Sequence, residues 1–307
     1  MKVKNLLSMI LVAGMMLVGC QNDGQDVDQS TENPQPDQAV QEETLVEEVK
    51  VVSATVSATN VLAKLDAEVV GVPTTTQTLP AQYADLPEVG QAMSPDLEIV
   101  ASLEPDLFIM DSNFQASVEE SLSQYGLNTF FFETGSYSDF VNSIKQLGVE
   151  INREDEAKKL VNEIEASVTK ALEKKGDQSP TVAVIFGAGE NFMLATDTSY
   201  LGDLVKTLGA TNITSKLDGD MSSAYVQFSL EQILAENPDY VLRFAHGNIE
   251  ETAKMFDAAF DSNEAYQQLD AVKSGKVYDL DPTIFNVSAN LEITTAIETL
   301  GEIFYGN

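Results

Sequence analysis

The middle of the chain contains one long amphipathic segment, residues 153–175. Its apolar residues recur at the 3.6-residue spacing of a single helical stripe, which is formed by Ala157, Leu160, Val161, Ile164, Val168 and Ala171. Because an α-helix rises 1.5 Å per residue, the segment predicts a helix about 35 Å long, roughly the width of a small domain. Asn152 can cap its start and Gly176 can end it. A rigid helix of this length divides the chain into two halves.

Strand and helix patterns alternate on both sides of this helix. The first half has predicted strands at 50–56, 68–72, 106–110 and 128–132, with helical stretches at 58–65 and 137–147. The second half has predicted strands at 181–186 and 239–244 and predicted helices at 201–208 and 290–304. Such alternation favours parallel sheets covered by helices. The predicted fold class is therefore α/β: two Rossmann-like lobes, 50–152 and 177–307, with mostly parallel sheets joined by one long α-helix at 153–176.

Each half contains one copy of a short repeat. Leu97-Glu98 is followed, after six residues, by Pro105-Asp106, and Leu230-Glu231 is followed at the same interval by Pro238-Asp239. The repeat predicts a helix with a Glu in its first turn, then a Pro-Asp turn, then a buried strand that runs toward the cleft between the lobes. Its recurrence supports the division into two similar lobes.

The amino-terminal region is typical of a lipoprotein precursor. Residues 1–19 start with Lys2 and Lys4 and continue in an apolar run that closes on Leu17-Val18-Gly19-Cys20. This run has about 13 residues, fewer than the roughly 20 that a helix needs to cross a bilayer, so we expect a signal peptide that is removed. Cys20 is then expected to carry a lipid that holds the protein at the extracellular face of the cell membrane.

Residues 20–49 are expected to form a disordered acidic tether after the lipidated cysteine. From 21 to 49 the chain has nine Asp or Glu and no Lys, Arg or aromatic residue. Such a segment buries too little apolar area to offset the entropy lost on ordering. Because Cys20 is the only cysteine, its lipidation leaves no thiol for a disulfide, an iron–sulfur cluster or a thiolate ligand.

The chain is strongly acidic. It has 17 Lys and Arg against 49 Asp and Glu, and removal of the signal peptide brings the net charge from −32 to −34 because two lysines leave with it. Nucleic acid is therefore an unfavourable partner, since phosphate binding needs a basic surface. A calcium function is not expected either, because the sequence lacks an Asp-rich calcium loop.

Two residues, one in each half, can supply ligands to a metal-containing molecule. His246, the single histidine, follows the predicted strand at 239–244, and open α/β sheets bind ligands at the carboxyl ends of their strands. Met93 lies near the end of the 23-residue connection 74–96, which is long enough to be functional. Taken alone, His246 is more often a structural or exposed residue and Met93 more often loop filler. Together, a thioether and an imidazole are an axial pair for haem iron.

One histidine also restricts the alternatives. A metal site with three imidazole ligands cannot be built, and a Ser-His-Asp hydrolase would need His246 without any recognisable nucleophile motif.

Several segments carry a resemblance to a known family. The two most specific are Gly90-Gln91-Ala92-Met93-Ser94-Pro95 and Arg243-Phe244-Ala245-His246-Gly247, and the others lie at 69–73, 78–80, 195–200, 202–204, 277–280 and 289–290. In these segments the chain resembles the cluster-A substrate-binding proteins of ABC importers, in which a long helix joins two lobes. The subgroup it resembles is the haem-binding lipoproteins of Gram-positive iron uptake.

The resemblance implies a non-enzymatic, monomeric receptor that binds haem between its lobes, with Met93 and His246 as the axial ligands. It implies further pocket contacts from the first two turns of the first lobe, at Val56, Ser57, Thr75 and Thr76. Glu98 and Glu231 resemble the pair of acids, one per lobe, that docks on a permease driven by an ATPase. Surface proteins that donate haem are further expected partners.

Two rival functions stay open. The first is the same kind of receptor with a ferric siderophore or a corrinoid as cargo, although an anionic siderophore usually needs cationic side chains and the cleft region offers mainly Arg243. The second is a surface hydrolase that acts through two carboxylates, which requires two acids a few ångström apart. No spacing in the sequence indicates such a pair.

Overall fold

The computed structural model describes residues 48–189 and 191–306. The predicted signal peptide, Cys20 and all of the predicted tether except its last two residues lie outside the described residues. Within these two ranges, no helix is both long and apolar enough to cross a membrane.

The first lobe is built on one fully parallel sheet. Its elements are β1 (Val51–Ser53), α1 (Val56–Lys64), β2 (Val69–Gly71), β3 (Gly90–Gln91), β4 (Ser94–Pro95), α2 (Leu97–Ser102), β5 (Leu107–Asp111), α3 (Gln115–Tyr125), β6 (Thr129–Phe132) and α4 (Tyr137–Glu150). The sheet has the order β2-β1-β5-β6, and β3 and β4 form a separate hairpin. Alternate residues of β5 enter the two cores on opposite sides of the sheet, Leu107 and Ile109 on one and Phe108 and Met110 on the other.

The second lobe extends this plan with two strands that join the sheet through antiparallel pairing. Its elements are β7 (Thr181–Ala188), β8 (Asn191–Ala195), α6 (Tyr200–Thr207), β9 (Thr211–Asn212), β10 (Tyr225–Gln227), α7 (Leu230–Glu236), β11 (Tyr240–Ala245), α8 (Ile249–Ser262), α9 (Asp270–Lys273), β12 (Val277–Asp279) and α10 (Ile293–Tyr305). The sheet has the order β10-β8-β7-β11-β12, and β9 pairs with β7. The pairs β7–β11, β11–β12 and β7–β9 are parallel, whereas β8 runs antiparallel to β7 and β10. The predicted α/β fold with two lobes is confirmed.

The predicted connecting helix is present as α5 (Glu154–Glu173). Three acids in its first turn suit the positive end of its dipole, as the sequence indicates. The prediction that Asn152 caps this helix is wrong, because Arg153 occupies the cap position and makes no side-chain cap hydrogen bond. Asn152 instead adopts a left-handed φ of 56°, which turns the chain between α4 and α5.

Helix α5 lies against one helix of each lobe, and small residues allow both approaches. Gly148 of α4 faces Ala157 so closely that an added Cβ would come within 2.4 Å of the alanine Cβ. At the other end, a Cβ on Gly301 of α10 would come within 2.8 Å of Ala171. Salt bridges from Lys170 to Glu298 and from Lys174 to Glu302 lie on the exposed side of the second contact. The buried stripe of α5 therefore joins the cores of both lobes.

Helix α10 begins three residues later than its sequence predicts. The segment that precedes it is irregular: the Asn290 side chain accepts a hydrogen bond from the Glu292 amide, and both backbone groups of Ala289 bind the first lobe. Asn290 therefore belongs to the connection from β12, and the helix starts at Ile293.

The sequence repeat has a common structural role in both lobes. Asp106 accepts a hydrogen bond from the Lys50 amide at 2.9 Å, and Asp239 accepts one from the Thr181 amide at 2.7 Å. Each aspartate thus ties the entry of a central strand to the start of its neighbour, β1 in the first lobe and β7 in the second. The Pro-Asp turns set the register of the two sheets.

We expect Gly148→Ala to destabilise the protein, because the new methyl group would be 2.4 Å from the Ala157 Cβ and 3.0 Å from the Arg153 carbonyl oxygen. The forced separation of α4 and α5 is an overpacking defect that costs about 1–3 kcal/mol. Urea unfolding followed by circular dichroism measures it as a lower midpoint. Gly135→Ala is the control, since its new methyl group meets nothing within 4 Å. Equal midpoints for the two variants would contradict the close-packing interpretation.

Candidate functional site

A cavity of about 360 Å³ opens at the carboxyl ends of the first lobe's strands. The first lobe contributes residues at or just after the ends of β1, β2, β5 and β6, and the second lobe contributes the segment between β12 and α10. Its walls are formed by Thr55, Val56, Ser57, Asn60, Gln77, Ala92, Asp111, Thr134, Thr283, Asn286, Ser288, Ala289, Asn290, Leu291 and Glu292. This is the edge of an open α/β sheet at which ligands bind.

The start of helix α1 presents backbone donors to this cavity. Thr55 occupies the cap position, but its side chain makes no cap hydrogen bond. Its carbonyl oxygen accepts from the Thr59 hydroxyl at 2.8 Å and from the Ser53 hydroxyl at 3.1 Å, and these contacts fix the turn. Val56 and Ser57, the first two helical residues, line the cavity. Uncapped amides at a helix start bind anionic groups.

The second lobe reaches the cavity through residues 286–290, which we call the strap. Ala289, the fourth of its five residues, is fully buried. Its amide donates to the Thr134 carbonyl oxygen at 2.8 Å, and its carbonyl oxygen accepts from the Ser57 hydroxyl at 3.0 Å. Thr134 is in turn held by Asp111, which accepts from its hydroxyl at 3.1 Å. The Ser57 hydroxyl therefore links the lobes, and its hydrogen is already used in this bond.

A second contact between the lobes lies on the side of α4 and α6. The Asp203 carboxylate accepts from both the amide and the hydroxyl of Ser138, at 3.0 Å each. Burial, together with the charges of Glu165 and Asp203, raises the pKa of the neighbouring Tyr137 to about 12. The phenol is therefore neutral at physiological pH, and the negative charge at this contact belongs to the carboxylates.

Met93 stands at the tip of the hairpin formed by β3 and β4. Gln91 pairs with Ser94, so that Ala92 and Met93 are the two turn residues. The base of the hairpin is fixed, because the Thr74 amide donates to the Gly90 carbonyl oxygen at 2.8 Å and Val89 is fully buried. The Met93 side chain is 68% exposed, whereas Ala92 lines the cavity. The hairpin thus holds an accessible thioether at the rim.

His246 lies at the carboxyl end of β11, immediately after Ala245. Its amide donates to the Gly187 carbonyl oxygen at 3.0 Å, so the backbone continues the pairing with β7 by one residue. Gly247, at a φ of 66°, then turns the chain into α8. The imidazole is exposed, and it makes no hydrogen bond or ion pair with the residues that the structure describes. It is free to bind a ligand.

Of the other predicted pocket residues, two line the cavity and two do not. Val56 and Ser57 line the cavity, whereas Thr75 and Thr76 do not, although the next residue, Gln77, does. Thr75 uses its hydroxyl to accept from the Gln77 amide at 3.0 Å. Met93 and His246 also lie outside the walls of this cavity, and the structure shows no contact between them. Their joint action stays a prediction.

Glu98 and Glu231 occupy equivalent positions on the two lobes. Each is an exposed residue in the first turn of a short helix, α2 and α7 respectively. Neither carboxylate has a salt bridge to a described residue. Asp96 and Ser229 cap these helices, so the helix starts do not depend on the glutamates for capping.

The cavity is polar and without cationic side chains. Among its described wall residues, Asp111 and Glu292 are the acids and none is Lys, Arg or His. Arg243, the cation that the sequence offers near the cleft, is 6% exposed and ion-paired with Asp257 and Asp279. Burial alone would lower its pKa, but the hydrogen bonds and charges of the two aspartates outweigh burial and raise the pKa above its ordinary value. The Arg243 guanidinium therefore stays charged, and Asp257 and Asp279 already balance that charge.

The site also includes residues that sequence reasoning missed. Asp111 is the last residue of β5 and Thr134 follows β6, so the strand-end rule that selected His246 would have found them. The strap carried no periodic signal, because it is a connection rather than a helix or strand.

A second cavity of about 410 Å³ also borders the strap, and its wall includes Tyr225. Burial raises the pKa of Tyr225 to about 12.

No group of three or more His, Cys, Asp or Glu side chains in the described parts of the chain is arranged to hold a metal ion.

Comparison with known proteins places this architecture in a family. Residues 51–284 match the family model described as periplasmic binding protein. The chain is 33% identical over 307 residues to the high-affinity heme uptake system protein IsdE of Staphylococcus aureus, a match that covers 99% of both proteins.

Solved structures agree with this placement. An ABC transporter substrate-binding protein from Listeria monocytogenes EGD-e superposes with a TM-score of 0.75 at 33% identity, covering 85% of this chain and 100% of that one. The structure of S. aureus IsdE complexed with heme gives a TM-score of 0.71 at 35% identity, covering 84% and 99%. The chain therefore belongs to the periplasmic binding protein family, which includes substrate-binding proteins of ABC transporters.

Proposed function

We propose that this protein binds haem between its lobes, with Met93 and His246 as axial ligands of the iron, and delivers it to a permease. The observation that carries the proposal is the similarity to IsdE, a heme uptake protein, over nearly the whole of both chains. The accessibility of the two side chains supports it. The thioether at the hairpin tip and the unpaired imidazole after β11 come one from each lobe, so that bound iron would connect the lobes.

The polar cavity can receive the charged edge of haem without a cationic side chain. The uncapped amides at the start of α1 are suited to a propionate carboxylate. The side-chain amide groups of Asn60 and Asn286 surround the same space. These neutral donors allow a strongly acidic protein to hold an anionic ligand, since the attraction comes from local dipoles rather than from net charge.

A ferric siderophore is a weaker candidate than haem. Recognition of an anionic siderophore usually requires free cations, and Arg243 is committed to Asp257 and Asp279. A corrinoid can fill one axial position with its own nucleotide base, so it makes less use of a pair of axial ligands supplied by the protein. Haem makes use of both Met93 and His246.

A carboxylate-dependent hydrolase is also less consistent with the cavity. Its two acids would have to be Asp111 and Glu292, the acids of the cavity wall. Asp111 uses both carboxylate oxygens within the protein, accepting from Asn113 on one and from Thr134 on the other. A general acid or nucleophile needs a free oxygen directed at the substrate. The protein is therefore proposed to bind and hand over its ligand without chemical conversion.

The proposed delivery requires a partner and an anchor. Substrate-binding proteins of this family work with a permease and an ATPase, and we propose that Glu98 and Glu231 form the two docking points. We also propose that a lipid on Cys20 keeps the monomeric protein at the extracellular face of the membrane, where surface proteins can donate haem to it.

The axial assignment predicts that Met93→Ala and His246→Ala both weaken haem binding and shift the Soret band. Loss of a group that only orients a metal ligand costs 10–100-fold, so loss of a ligand itself should cost about tenfold or more. Titration of the purified protein with haem, followed in the visible spectrum, measures both effects. Ile99→Ala is the control, because Ile99 is another exposed apolar residue of the first lobe and cannot bind iron. An unchanged spectrum and affinity in both ligand variants would overturn the assignment.

The docking assignment predicts that Glu98→Lys and Glu231→Lys reduce haem-dependent growth while haem binding in solution stays unchanged. The reason is that the new lysine would repel a permease arginine. This repulsion weakens the complex with the permease and leaves haem binding unaffected. Growth with haem as the iron source and the in vitro titration separate the two effects. Glu119→Lys, at an exposed acid of α3, is the charge-matched control. Growth losses as large in the control would contradict a specific docking role.

The anchor assignment predicts that Cys20→Ser releases the protein from the cell surface into the medium. Serine keeps the size of the side chain but has no thiol to carry the lipid. Membrane fractionation and metabolic labelling with a fatty acid measure retention and lipidation. Retention of the variant at the membrane together with undiminished label would show that Cys20 is not the site.

A further inference from the structure

Arg243 is the most completely enclosed cation that the structure describes. It lies on β11 opposite Asp279 of β12, and its Nε and Nη2 atoms donate to both oxygens of that carboxylate. Nη2 also donates to Asp257 of α8 at 2.8 Å. The guanidinium carbon lies 5.3 Å from the ring centre of Phe256 and 4.9 Å from that of Phe260. One side chain therefore joins a strand, its neighbour and the helix that covers them.

The position of Arg243 in the strand explains which elements it joins. Side chains alternate along β11, and Leu242 and Phe244 face the core shared with α10, whereas Val241 faces the core under α8. Arg243 shares the face of Val241. It lies three residues before His246, so its contacts hold the part of β11 that leads directly into the turn carrying the imidazole.

The turn that carries His246 connects β11 to α8, and both ends of this turn are held. On one side, the His246 amide bonds to Gly187 of β7. On the other, α8 packs closely on the same glycine: a Cβ there would come within 2.5 Å of Thr252 and 2.7 Å of Phe256. The Thr252 hydroxyl also accepts from the Gly189 amide at 3.1 Å. The ionic contacts of Arg243 add the direct link between β11 and α8.

We propose that Arg243, through Asp257 and Asp279, is a positioning residue for the His246 ligand. The proposal rests on the proposed function, since it assumes that His246 binds haem iron. The planar guanidinium can bond two carboxylates at fixed angles, which an ammonium cannot do, so it fixes the spacing of β11, β12 and α8 together. An imidazole that is held in place before haem arrives loses less entropy on binding and dissociates from iron less often.

A purely structural role makes a different prediction. Removal of one partner of a buried ion pair lowers stability, because the carboxylates that remain lose their compensating charge. With a purely structural role, Arg243→Met would lower the unfolding temperature, but the bound haem would keep the same coordination. The positioning role predicts altered coordination and faster haem loss even where the variant is fully folded.

The test compares the full chain with Arg243→Met, Arg243→Lys and Asp257→Asn. Asp257→Asn keeps the arginine and its pairing with Asp279, so it tests the link to α8 if the arginine variants fold poorly. The control is Lys276→Met, which removes another cation that lies over an aromatic ring, 4.7 Å from Tyr240 at the opposite end of the same strand. Each protein is loaded with haem, and the Soret band, the iron spin state and the rate of haem transfer to excess apomyoglobin are recorded well below its unfolding temperature.

We expect a roughly 10- to 100-fold faster transfer and a larger high-spin fraction in Arg243→Met, the size found when partners that orient a metal ligand are removed. Arg243→Lys and Asp257→Asn should give smaller changes in the same direction, and Lys276→Met none. Added imidazole should restore the low-spin spectrum of Arg243→Met, because it replaces the poorly held ligand.

Spectra and transfer rates equal to those of the unchanged protein in all folded variants would overturn the positioning role. The proposed function is judged separately by His246→Ala. If His246→Ala alters the spectrum and the arginine variants do not, the positioning role of Arg243 is wrong and the axial role of His246 stands. If His246→Ala leaves the spectrum unchanged, His246 is not an axial ligand and the proposed function itself is wrong.

Discussion

The packing of one helix against both lobes is the constraint on which the rest of the structure depends. Helix α5 contacts α4 through Ala157 and α10 through Ala171, and in each case a glycine on the partner helix allows close approach. Because these contacts are buried and leave no space for a larger side chain, they fix how the two sheets face each other. The carboxyl ends of the first lobe's strands then lie against the strap, and the polar cavity is the space that remains between them.

The sequence predicted the architecture well because the signals of the fold are local and periodic. The stripe of α5 and the strand–helix alternation need only side-chain hydrophobicity along the chain, and the Pro-Asp repeat correctly marked equivalent strand entries at Asp106 and Asp239. Helix ends were less predictable. Asn152 has the chemistry of a cap, but the turn between α4 and α5 required it to take a left-handed conformation instead.

The site was harder to predict because much of it is made by contacts that are distant in sequence. Ser57 and Ala289 are 232 residues apart, and their hydrogen bond uses a backbone carbonyl that any residue could supply. The residue type at position 289 therefore carries no information about this hydrogen bond, although 289–290 is one of the segments that resemble the family. Met93 and His246, by contrast, have side chains that can bind iron. They were recognised from the sequence together with the strand that precedes His246, but without the hairpin that carries Met93.

The hairpin that carries Met93 is held less firmly than the strand that carries His246, and this difference affects how a bound ligand would be exchanged. Met93 is at the exposed tip of a two-residue turn, where few contacts restrain the side chain. His246 extends from a central strand that is bonded to β7 and linked to α8 through Arg243. Displacement of a ligand requires motion, and motion is least costly where packing and hydrogen bonding are sparse. In the proposed complex, the thioether side is therefore the one that opens, while the imidazole side keeps its geometry from one ligand to the next.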